Sequence, residues 1–67
     1  MSVKAMIKEI KNEIDSIKEE KELSERKLIE NSNNKEVALI WANDRDKADR
    51  ELNRLYKQLH ELERQLN

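Results

Sequence analysis

The sequence predicts an all-α fold: a two-helix antiparallel coiled-coil hairpin that self-associates, with a four-helix bundle as the expected assembly. Three observations support this prediction. The 67 residues include no Gly, Pro, Cys or Phe, and 43% of them are charged, a composition typical of long helices and coiled coils. Each half of the chain carries an apolar seam of helical spacing, and asparagines separate the two seams. A chain this short buries little core unless it pairs.

The first helix is predicted over about residues 3–30. Apolar residues recur there at alternating spacings of four and three, which defines a heptad seam. The seam consists of Val3, Ile7, Ile10, Ile14, Ile17 and Leu28. Lys21 and Ser24 occupy the same track between Ile17 and Leu28. The seam therefore has a weak, polar stretch near its end.

Residues 31–34, which read Asn-Ser-Asn-Asn, are predicted to form the turn because such side chains prefer caps to helix interiors. Asn33 stands three residues before Glu36, which is the spacing of a capping box. An asparagine in the left-handed conformation is expected to end the first helix. The second helix is predicted over about residues 35–66. Its seam comprises Ala38, Trp41, Arg45, Ala48, Leu52, Leu55, Leu59, Leu62 and Leu66.

The two seams fit one antiparallel register, in which the numbers of facing residues add to a constant. Ile14 and Leu55 add to 69, and the other facing seam residues give the same value. The expected interhelical ion pairs are Lys4 with Glu63, Lys18 with Asp49, and Lys27 with Asp44. The chain is thus interpreted as one hairpin domain over residues 1–67. A single long helix in a parallel dimer is the alternative, since no Gly or Pro interrupts the chain.

Large apolar residues also lie off the seam near the predicted turn. Leu39 and Ile40 point away from the first helix, although so charged a chain should not expose a contiguous apolar patch without a partner. The predicted protein interface comprises Leu23, Ile29, Val37, Leu39, Ile40 and Trp41. The alternative interpretation is a small local core that the turn folds over.

A basic ribbon runs along the outer side of the second helix, interrupted by Glu61. It comprises Lys47, Arg50, Arg54, Lys57 and Arg64. Such a row is most often a solvated face, and it can also bind an acidic protein or a nucleic-acid backbone. Nucleic acid is the least favoured partner because the net charge is −1 and no aromatic residue interleaves for base stacking.

No catalytic, cofactor-binding or metal-binding residues are predicted. His60 is expected to face solvent, and Lys57 stands where a di-iron Glu-x-x-His pair would need a glutamate. The aspartates around Asp46 do not form a calcium loop, because Asp49 and Leu55 replace its glycine and its final glutamate. The serines have no histidine within one helical turn to activate them.

The expected function is non-enzymatic protein–protein interaction, as a small adaptor, assembly element, regulator or inhibitor that binds itself and another protein. A dimeric hairpin that binds nucleic acid through the basic ribbon is the rival function. A third possibility is the oligomerisation segment of a larger protein. The longest apolar run is six residues, against about 20 for a membrane span. With no signal-peptide pattern and no cysteine, a cytoplasmic protein without a membrane or small-molecule partner is expected.

Overall fold

The computed structural model describes residues 2–66, which form two antiparallel α-helices. Helix α1 spans Val3–Glu30 and helix α2 spans Lys35–Leu66. The hairpin measures 50 × 15 × 14 Å, whereas one continuous helix of this length would extend about 100 Å. The prediction of two helices packed against each other is confirmed, and the single long helix is excluded as the fold of the chain.

Helix α1 begins at a serine cap that sequence inspection had not singled out. Ser2 has extended backbone angles, and its Oγ accepts a hydrogen bond from the backbone N–H of Ala5 at 3.1 Å. This bond satisfies one of the backbone donors that the first turn of any helix leaves without an intrahelical acceptor.

The turn uses two asparagines, and neither has the role predicted from the sequence. Asn31 ends α1 with φ −108° rather than in the left-handed region, and its side-chain amide donates to the Lys27 carbonyl at 2.8 Å. Asn34, not Asn33, caps α2, because its Oδ1 accepts from the Val37 backbone N–H at 3.3 Å. A cap stands three residues before the N–H that it binds, so the cap at Asn34 excludes the predicted Asn33–Glu36 capping box.

The core lies at the centre of the seam. Leu55 is 1% exposed and packs with Ile14 and Leu52, and Ile10, Ile17 and Leu59 close around them. These six residues make up three of the predicted layers. The buried residues of the described chain are Ile7, Ile14, Ala48, Leu52, Leu55, Leu62 and Ser24.

On the turn side of the core the layers are polar. Ser24 is fully buried, and its hydroxyl lies 2.6 Å from Asp44 Oδ2 and 3.0 Å from the Glu20 carbonyl oxygen. The hydroxyl has a single proton, and the short contact to a charged acceptor is the stronger of the two. Asp44 therefore accepts the hydrogen bond that this hydroxyl donates, which allows a polar side chain to be buried at low energetic cost.

A second polar contact joins the helices beside Ser24. Lys21 extends from the seam toward the surface, and its Nζ lies 2.6 Å from Asp49 Oδ1. Lysine side chains commonly place the stem against apolar surface and the ammonium in water. The side chains of Lys21 and Asp49 remain 34% and 43% exposed, so water screens the pair and it adds little to the stability of the hairpin.

These contacts correct the predicted ion pairs. Asp49 binds Lys21 instead of Lys18, and Asp44 binds Ser24 instead of Lys27. Lys27 pairs within α1, with Glu30 at 3.4 Å. The third predicted pair, Lys4 with Glu63, does not form within 4 Å among residues 2–66; Glu63 lies 3.9 Å from His60. The physical reason is reach, because Lys21 and Ser24 stand on the seam and lie closer to α2 than the flanking lysines do.

Replacing Lys21 by leucine is expected to raise the melting temperature at neutral pH. An apolar side chain at this seam position would bury surface worth up to about 1.5–3 kcal/mol, which exceeds the exposed ion pair that it removes. Thermal unfolding followed by circular dichroism measures the effect, and Lys18→Leu, at an exposed position off the seam, is the matched control. Equal effects of the two substitutions, or a loss of helicity in Lys21→Leu, would contradict the placement of Lys21.

Stability is expected to fall at high pH through Lys21. The hydrogen bond from Lys21 to Asp49, aided by their charge attraction, raises the pKa of Lys21 above 10.5, its ordinary value. The ion pair therefore contributes fully below the unfolded pKa and is lost as the pH rises through the raised folded pKa. The difference in unfolding free energy between wild type and Lys21→Gln should be constant from neutral pH up to 10.5 and shrink above it. A difference that grows with pH would have the wrong sign.

Candidate protein-interaction surface

The part of the hairpin nearest the turn contains no buried residue. Between the buried Ser24 and Ala48, every position from 25 to 47 is exposed or half-buried. We call this part the turn end. Leu28 and Trp41 complete the seam there, yet both remain half-buried. Two helices alone do not close the core at this end.

The predicted interface residues lie at or beside the turn end, and most of them are open to solvent. The exposed fraction is 74% for Ile29, 65% for Ile40, 62% for Leu39 and 41% for Leu23. Val37 and Trp41 are half-buried. Large exposed apolar side chains mark a surface that another molecule covers when they form a contiguous patch.

Two flanks of the hairpin can be told apart by their polar contacts. Asp44 and Asp49 are five residues apart, which separates them by about 140° around α2, and the seam residues Arg45 and Ala48 lie between them. The Ser24–Asp44 hydrogen bond marks one side, which we call the Asp44 flank. The Lys21–Asp49 ion pair marks the other side. We call this side the Tyr56 flank, because Tyr56 lines the same groove as Asp49. Residues seven apart stay on one side of a coiled coil, so each flank can be followed along both helices.

The predicted interface is divided between these flanks and is not one continuous patch. Ile40 and Trp41 line a groove of about 460 Å³ on the Asp44 flank together with Asn43, Asp44 and Lys47. Ile29 and Leu39 border the Tyr56 flank, since they stand seven and fourteen residues from Glu22 and Asn53, which line its groove. Leu23 lies on the outer face of α1. A contiguous patch was expected, but Leu39 and Ile40 diverge by about 100°.

The Asp44 flank has a second apolar groove, at the end that carries the chain termini. The sequence prediction missed it. Met6 is 38% exposed, and it lines a groove of about 400 Å³. The other lining residues are Ile10, Lys57, Gln58, Glu61 and Leu62. The signal was present in the sequence, because Met6 is a large apolar residue that stands next to the seam rather than on it.

The Tyr56 flank differs in chemistry. Its groove of about 440 Å³ is lined by Leu52 and Tyr56 and by six polar or charged side chains. These six are Lys18, Lys21, Glu22, Glu25, Asp49 and Asn53. The Lys21–Asp49 ion pair already satisfies two of them. This groove suits water better than an apolar partner.

The basic ribbon of α2 is exposed along its length. Arg64 pairs with Glu61 at 3.3 Å. Within the described chain, no carboxylate lies within 4 Å of Lys47, Arg50, Arg54 or Lys57. These four cations are therefore available to an acidic partner.

A complementary acidic row lies on α1. Glu13 and Glu20 are seven residues apart, both are exposed, and they continue the Asp44 flank from Met6. Neither lies within 4 Å of a basic group in residues 2–66. The Asp44 flank thus presents free carboxylates on α1. On α2 it presents the free cations Lys47 and Arg54, with the half-buried carboxylate of Glu51 between them.

The described residues offer no grouping of His, Cys, Asp and Glu suited to a metal ion. His60 is 79% exposed and lies 3.9 Å from Glu63. Neither helix has an apolar stretch of the length that a membrane crossing requires, over residues 2–66. No family model matches the sequence, and no curated protein or solved structure is significantly similar to it.

Proposed function

We propose that this chain is a non-enzymatic protein–protein interaction module, a small adaptor, assembly element or inhibitor that presents a helical-hairpin surface. It self-associates, and two hairpins form a four-helix bundle. The observation that carries this proposal is the turn end, where no residue is buried although it holds a tryptophan and several large aliphatic residues.

The energetics of the hairpin favour a partner. Each fully buried large apolar side chain contributes about 1.5–3 kcal/mol, and the described chain buries only six apolar residues. Small helical scaffolds commonly complete their cores by oligomerisation. Covering Ile40 and Trp41 with another helical surface would remove from water apolar area that the hairpin leaves open on the Asp44 flank.

Aromatic and aliphatic anchors of this kind commonly dominate the energy of an interface. Trp41 is half-buried against the seam, so its position is fixed before a partner arrives. Ile40 lies beside it in the same groove. The pair forms a preorganised anchor, which lowers the entropy lost on binding.

The double substitution Leu39→Glu with Ile40→Lys is expected to abolish the oligomer, or the complex with a partner protein. It leaves the net charge unchanged and touches no seam residue, so the helical circular-dichroism signal should persist at high protein concentration. Sedimentation equilibrium measures the mass. The matched control, Ala5→Glu with Asn12→Lys, adds the same charges at exposed positions on the outer face of α1.

Wild-type mass and wild-type partner binding in the double mutant, with the control also unchanged, would show that the turn end is not the interface. Loss of association in both variants would point to a general effect of added charge.

Nucleic-acid binding is the second candidate function, and the four unpaired cations of the basic ribbon support it. Phosphate contacts give affinities that fall steeply with salt. Titration with generic RNA and DNA at two salt concentrations tests this function. Salt-sensitive binding that Arg50→Gln with Arg54→Gln removes would favour it, whereas absence of binding at low salt would exclude it.

A further inference from the structure

We propose that the surface that receives a second copy of this chain is the Asp44 flank, with the turn ends of the two hairpins lying side by side. This inference rests on the proposed self-association and adds the face and the orientation. The proposed partner is a second identical hairpin, related to the first by a two-fold axis parallel to the helices.

Apolar side chains stand at both ends of this flank. Ile40 and Trp41 line the groove at the turn end, and Met6 and Leu62 line the groove at the terminal end. A partner of the same length would cover both grooves at once. The groove of the Tyr56 flank is mostly polar and holds an ion pair, so it offers a second copy less apolar area to cover.

Charge selects the orientation. A symmetric dimer that buries this flank has two possible two-fold axes. An axis parallel to the helices sets α1 against the partner's α2 and brings the turn ends together. An axis across the helices sets each helix against its own copy and places each turn end over the other hairpin's termini.

With the parallel axis, opposite charges meet. Residues at equal height on α1 and α2 have numbers that add to about 69, so Glu20 comes opposite the partner's Lys47, and Glu13 comes opposite the partner's Arg54. Symmetry repeats each contact, which gives four favourable pairs among groups that have no ion-pair partner within the described hairpin. These outnumber the two like-charge approaches of Glu20 to the partner's Glu51.

With the crossing axis, attraction and repulsion offset each other. When the hairpins overlap fully, Glu13 comes opposite the partner's Glu20, whereas Glu51 comes opposite the partner's Arg54. Because like-charge juxtaposition at an interface is unfavourable, charge gives that geometry no net attraction. The arrangement with the turn ends together is therefore the one that the free charges of this flank favour.

Charge reversal tests the face and the orientation together. Glu20→Lys alone and Lys47→Glu alone each place like charges across the parallel-axis dimer, and each should raise its dissociation constant about tenfold or more. An equimolar mixture of the two variants should associate with wild-type affinity as a heterodimer, because every reversed charge then meets its complement. Circular dichroism and thermal unfolding of each variant check the hairpin itself.

The opposite outcome identifies the crossing axis, since Glu20→Lys would then meet Glu13 of the partner and strengthen the homodimer. Unchanged association in both variants would exclude this flank. If Leu39→Glu with Ile40→Lys still dissolves the oligomer in that case, the proposed function stands and only the placement on the Asp44 flank fails.

A distance measurement gives an independent reading. The chain has no cysteine, so a spin label at Ser32→Cys, an exposed position in the turn, is unique. Packed helices lie about 8–10 Å apart, so the two labels should lie within roughly 30 Å of each other. A separation near the 50 Å length of the hairpin, or no coupling between copies, would overturn the proposed arrangement.

Discussion

Two helices can cover only the stripe that each turns toward the other, and this constraint governs the rest of the structure. Three apolar layers around Leu55 close well because branched or long aliphatic side chains meet from both sides. On the terminal side Ile7 and Leu62 add another buried layer. On the turn side the layers become polar, and between Ser24 and Ala48 no residue is buried. The hairpin is therefore tight in its terminal half and open at its turn end. Its free surface follows from this asymmetry.

The polar layers favour one register of the hairpin. Ser24 is buried with its hydroxyl on Asp44, and Lys21 reaches Asp49. Sliding one helix by a heptad would move these partners about 10 Å apart and break both contacts. Polar contacts of this kind between helices favour one register at some expense of stability.

Much of this architecture could be read from residue spacing. The seam of α1, the seam of α2 and the asparagines between them predict two packed helices, because period and turn chemistry are local properties of a sequence. The flanking contacts could not be predicted in the same way. Spacing placed Lys18 near Asp49 and Lys27 near Asp44, but a flanking pair depends on which side chain reaches the carboxylate first, and Lys21 and Ser24 stand closer.

The predicted interface residues could likewise be understood only in part from their spacing. Their exposure follows from positions off the seam, which the sequence displays. Their separation into two groups required the flanks, because Leu39 and Ile40 are neighbours in sequence and diverge in space. The Met6 groove could not be predicted from either helix alone, because Met6 and Ile10 of α1 line it together with Gln58 and Leu62 of α2. A pairing surface made from both helices is a property of the register and not of either helix.

Small-angle X-ray scattering with an absolute mass tests the central claim most directly, which is that the hairpin completes its open side with another copy. The predicted result is a particle of twice the chain's 8.1 kDa whose longest dimension stays near 50 Å. A mass of one chain at micromolar to millimolar concentration would contradict the pairing. A longest dimension of about 100 Å would contradict the hairpin, since the chain extends so far only as one continuous helix.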